Sequence, residues 1–159
     1  TVSANLTANV ARNIWTYVVI FCGHFPDGAE KFTTESIVDE TPGEWYLRQM
    51  LGSANISGGR AMDFMTGNLS YQIEHHMFPD LPSNRLPEIS VRVQALCEKY
   101  DLPYNSGPLH KQFFSVVKKI CRLALPDSWL TKRAPEGDPV REVVEVADDV
   151  EVLVPVSAG

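Results

Sequence analysis

Cysteine is scarce in this chain: Cys22, Cys97 and Cys121 are scattered, with no CxxC pair, which argues against a disulfide framework and against a zinc knuckle. A reducing compartment fits that usage. Long apolar runs are missing too. The apolar centre of the first segment, Ile14 to Gly23, falls well short of the ~20 residues that a bilayer-spanning helix needs. Positive charge is also in deficit, with 14 Lys and Arg against 20 Asp and Glu and a net charge of −6, so a nucleic-acid partner is not expected. The orders HExxH, H-x-E with PCxxC, and GxSxG are all absent, which sets aside zinc proteases, zinc deaminases and serine hydrolases built on a nucleophile elbow. The chain opens at Thr1 with neither Met nor a secretory leader, as expected for a piece of a longer protein.

What is present suggests one modest helical core: 159 residues with 44% hydrophobic content. Residues 4 to 25 are compatible with a helix, read as the end of a transmembrane or interfacial helix with Trp15 and Tyr17 at the interface. Pro26-Asp27-Gly28 is a turn that stops it. Residues 26 to 130 read as a helical, cytosolic region. A helix follows Pro42 and ends at Gly52, "SANISGG" is a loop, and Asp63 to Met77 is helix, interrupted or bent near Gly67. From Ser83 an amphipathic helix carries the stripe Leu86, Ile89, Val93, Leu96 and Cys97 and ends near Tyr100; a last helix runs from Leu109 to Leu125. Residues 131 to 159, with seven acids and three bases, read as a disordered acidic tail. Residues 81 to 130 are basic instead, with seven bases and four acids, a surface suited to anionic lipid or an acidic partner. The expected class is therefore all-α.

Half of the four histidines stand together in "YQIEHHMFP". On a continuous helix Asn68, Gln72, His75 and His76 would share one face, and neutral imidazole is a common ligand for zinc, copper, iron and nickel. Gln72 is a poor ligand but suits a metal-bound water or the orientation of an imidazole. Glu74 falls on the opposite side of that wheel, towards solvent or a neighbouring helix end. Two ligands on one turn do not complete a site, so an ordinary packing role for the pair stays open.

The wider string "GNLSYQIEHHMFPDLPSNRLPEISVRVQALCEKYDLPY", residues 67 to 104, resembles the third histidine box and following cytosolic helices of integral-membrane fatty acyl desaturases. The likeness joins the QxxHH form, Phe78-Pro79 just after it, and "LPSNR" leading into a helix. "IFCGHFPDGAEKF" and "GEWYLRQMLGSANISGG" are similar to the actinobacterial acyl-CoA branch of that family. The resemblance implies an O2-dependent enzyme with two non-haem Fe ions, held by histidines of three boxes at the cytoplasmic face of a membrane domain.

It further implies that His75 and His76 are iron ligands, with Gln72 where other members carry the first histidine of the box. His24 stands at the place of an additional ligand, although Ile20 replaces the Asn expected four residues earlier. Asn68 and Glu74 are candidates for supporting the ligands, while His110 matches no box. The implied substrate is a long-chain acyl-CoA or acyl lipid, with electrons from an external ferredoxin- or reductase-type donor. A fatty acyl hydroxylase with the same iron centre, and a non-catalytic helical interaction module, are the alternative readings.

Overall fold

The computed structural model describes residues 1–34 and 37–126; the acidic tail expected at 131 to 159 lies outside them. Six α-helices carry most of the described residues, in the order α1 Val2–His24, α2 Pro42–Leu51, α3 Gly59–Thr66, α4 Gln72–Met77, α5 Leu86–Lys99 and α6 Leu109–Leu123. Helix α1 ends where expected, closed by the Phe25 amide on the Phe21 carbonyl, and Gly28 takes the left-handed conformation that the following turn requires. Helix α2 starts on a capping box. The Thr41 hydroxyl accepts from the Glu44 amide, the Glu44 carboxylate accepts from the Thr41 amide at 2.7 Å, and Pro42 fills the first helical position.

Two readings of the sequence need correction, and a third is narrowed. The fold is mostly helical rather than all-α, because β1 Asn55–Ser57, inside the expected "SANISGG" loop, pairs in parallel with β2 Ser106–Pro108. The register sets Asn55 against Ser106 and Ser57 against Pro108. Three-residue strands are too short to show alternation, so the pairing leaves no periodic trace in the sequence.

The expected helix from Asp63 to Met77 is interrupted near Gly67 rather than bent, and forms two helices. Gly67 and Asn68 both adopt left-handed conformations, and the Gly67 and Asn68 amides return to the Phe64 and Asp63 carbonyls, closing α3. The expected amphipathic helix from Ser83 begins with a 3-10 turn, Ser83–Arg85, and only from Leu86 is it an α-helix. Its Leu96 is exposed, so the buried stripe is Leu86, Val93 and Cys97 with Ser90.

Two apolar clusters position the rest. Met50, Leu51, Ile73, Val93 and Cys97 join α2, α4 and α5, while Val19, Cys22 and Ile56 join α1 to β1. The Gly23 carbonyl at the end of α1 accepts from the Ala54 amide, and the Ile56 amide donates to the Ser70 carbonyl just before α4. The β1 strand thus ties the end of α1 to the start of α4. Among the described residues no helix is long and apolar enough to cross a membrane.

Candidate metal centre

Six residues are too few to hold a helix on hydrogen bonds alone, so α4 owes its order to what surrounds it. Ile73 and Glu74 are both fully buried. Ile73 supplies apolar contact with α2 and α5, worth about 1.5–3 kcal/mol for such a side chain. Glu74 sits in a network of neutral donors. Its two carboxylate oxygens accept from Asn55 Nδ2 and from the Tyr104 hydroxyl, each at 2.8 Å. Asn55 also donates to the Tyr104 oxygen at 2.6 Å, and its Oδ1 accepts from the Ile73 amide at 2.8 Å.

Asn55 therefore grips α4 by both backbone and side chain. Asn55 is itself fixed by strand pairing and by Gln112 of α6, which donates to its carbonyl at 2.7 Å. Burial and the Glu74 charge push the Tyr104 phenol above its ordinary range, so it remains a proton donor to the carboxylate. Glu74 lies on the side of α4 away from the histidines, as its position on a wheel suggests, but that side is the protein interior and not solvent. Asn55 and Tyr104 were not legible as site residues. "SANIS" and "DLPY" look like loops until strand pairing brings them to α4.

The opposite side of α4 meets the end of α1. His24 Nε2 and His76 Nε2 approach to 2.8 Å, with the rings nearly perpendicular at 80°. His24 Nδ1 lies 2.7 Å from the Ile20 carbonyl, and a carbonyl only accepts, so Nδ1 carries a proton and Nε2 is the nitrogen turned to His76. A histidine that donates its other ring nitrogen to a carbonyl is oriented as metal-binding histidines usually are. Burial holds the His76 imidazole well below its ordinary pKa, at about 4, and the neighbouring His24 and His75 rings push it the same way. His76 is thus neutral at physiological pH. The His75 ring lies 5.8 Å from that of His76.

Two nitrogens bound to one ion at about 2.0–2.1 Å lie roughly 3 Å apart, so the His24–His76 spacing fits a shared metal edge. Imidazole nitrogens, one ring oriented by a carbonyl, also suit iron chemically. They form only part of a ligand set. Among the described residues no group of three or more His, Cys, Asp or Glu comes together as a complete cage.

The other expected site residues fall elsewhere. Asn68 is in the left-handed turn between α3 and α4, not on a helix face with the histidines. Gln72 is buried at the start of α4 against Gly23, where an added Cβ would come within 2.5 Å of its Cγ. The absence of a side chain at Gly23 lets α1 and α4 approach, and that approach brings His24 to His76. His110 is exposed at the start of α6.

Comparison with known proteins gives the family of the chain. A family model described as fatty acid desaturase matches residues 3–108, and the chain belongs to that family. More particularly, the chain is 55% identical over 141 residues to the NADPH-dependent stearoyl-CoA 9-desaturase of Mycobacterium tuberculosis, covering 89% of this chain and 33% of that protein. It is 32% identical over 134 residues to a Delta(8)-fatty-acid desaturase of Helianthus annuus, 84% of this chain and 29% of the relative. An acyl-lipid (9-3)-desaturase of Borago officinalis is 37% identical over 93 residues, 58% of this chain and 21% of the relative. The chain therefore spans about a third or less of the length of these relatives. No solved structure matches the chain significantly.

Proposed function

We propose that this chain is the histidine-bearing C-terminal part of a di-iron, O2-dependent desaturase that introduces a double bond into a long-chain acyl-CoA. The observation that carries this reading is the convergence of His24 and His76 through Nε2, in a chain of the desaturase family. The likeness to a stearoyl-CoA 9-desaturase supports a saturated C18-type acyl-CoA as substrate and NADPH as the source of electrons, delivered by an external reductase. Four histidines are too few for two irons, so the remaining ligands and the acyl-binding helices belong to the rest of a longer, membrane-embedded protein. This region then sits at the cytoplasmic face.

Two non-haem irons, when bound, supply the oxidising power to remove hydrogen from an unactivated methylene. This chain's residues hold and aim them. His24 and His76 would take one ion between their Nε2 atoms, and His75, next along the same turn, would face a second. The Ile20 carbonyl keeps the His24 proton on Nδ1, leaving Nε2 free to bind. To bind through Nε2, a neutral His76 would carry its single proton on Nδ1. Asn55, Glu74 and Tyr104 hold the turn from behind, and Gln72 fills the contact with α1.

The test is double-bond formation in the full-length protein, followed by chromatography of the acyl products. His76→Ala should abolish desaturation, whereas His110→Ala should leave it near the wild-type rate. Equal activity in the two variants would contradict the assignment.

A further inference from the structure

Helix α6 lies beyond the residues that the family model matches, and its charge sets it apart. In a chain of net charge −6 it carries Lys111, Lys118, Lys119 and Arg122 and no acid. Three sectors run along it. One packs on the protein body: Gln112 and Val116 are buried, and Lys119 turns inward to donate to the Pro26 carbonyl at 2.9 Å, with Asp27 at 3.9 Å.

The second sector is apolar and exposed. Phe113, Val117 and Ile120 follow one another at i, i+4 and i+7 with Phe114 beside them, all four exposed and Phe114 at 78%. The third is a basic stripe, Lys111, Lys118 and Arg122 at i, i+7 and i+11, which lies on the wheel between Phe114 and the body-facing Ser115 and Lys119. A contiguous apolar face of this kind is a poor surface to leave hydrated. Aromatic and aliphatic side chains on one face, with lysine and arginine along its edge, match a helix lying in the plane of a lipid interface, where long basic side chains reach back to the headgroups.

We propose that α6 lies on a bilayer surface containing anionic phospholipid. Phe113, Phe114, Val117 and Ile120 enter the boundary between headgroups and acyl chains, and Lys111, Lys118 and Arg122 meet the lipid phosphates. The inference is independent of the histidine site.

Depth-dependent quenching tests it. The full-length protein is reconstituted in bilayer discs of phosphatidylcholine and phosphatidylglycerol, with Cys121→Ser removing the exposed thiol and a fluorescent label on a cysteine placed at Phe114 or at Lys118. The label at 114 should be quenched by nitroxide-bearing lipids and shielded from iodide, and the label at 118 should show the reverse. A Lys111→Glu, Lys118→Glu, Arg122→Glu variant should lose lipid quenching at 114. Iodide quenching at both positions would overturn the proposal, as would shielding at 114 without quenching by lipid, which would mean that protein covers the face. Either result would leave iron content and desaturation at their wild-type values.

Discussion

Glu74 is a carboxylate with no exposed surface and only neutral hydrogen-bond donors, so each of those donors matters. Tyr104→Phe removes one of them and leaves a buried oxygen short of a partner, a loss of about 1–3 kcal/mol. The expected outcome is a lower unfolding midpoint at constant denaturant slope, with weaker iron retention because the histidine turn is less firmly held. An unchanged midpoint would show that the network does not support α4. The residues of this network also mark where sequence reasoning stopped. The wheel correctly sets Glu74 opposite the histidines, but a wheel does not tell interior from solvent. That choice depends on Asn55 and Tyr104, which stand 19 residues before and 30 residues after it.

At the scale of elements, the long helices were legible because local chemistry decides them. Pro26-Asp27-Gly28 after α1, Pro42 and Gly52 at the two ends of α2 and the stripe of α5 all act within a few residues. The β1–β2 pairing and the break between α3 and α4 were not. The first rests on a contact between distant loops, the second on two successive left-handed residues where only Gly67 hinted at an interruption.

Both features yield element-level predictions. Gly67→Ala places a Cβ at a φ of 63° and should cost about 1–2 kcal/mol, measured by denaturant unfolding. Gly23→Ala drives a methyl group into Gln72 and should cost about 1–3 kcal/mol through overpacking. Because Gly23 sets the approach of α1 to α4, Gly23→Ala should also reduce iron binding, whereas Gly67→Ala, which lies at the end of α3, should affect stability more than iron. Equal iron loss in the two variants would contradict this division.

For the whole molecule, the design is one of two helix ends brought together by a strand. Helix α1 delivers His24, α4 delivers His75 and His76, and Ala54 just before β1 and Ile56 within it are hydrogen-bonded to the end of α1 and to the residues before α4. The candidate site was legible in part: the adjacent histidines stand out, and His24 drew attention through family resemblance. The distance between His24 and His76, 52 positions apart, follows only from the fold.

Iron stoichiometry of the purified full-length protein, wild type against His24→Ala, tests the central claim most directly. The account predicts that His24→Ala loses iron while unfolding at nearly the wild-type midpoint, since this ring lies at the edge of the core. Iron bound at the wild-type ratio would show that His24 and His76 do not share a metal.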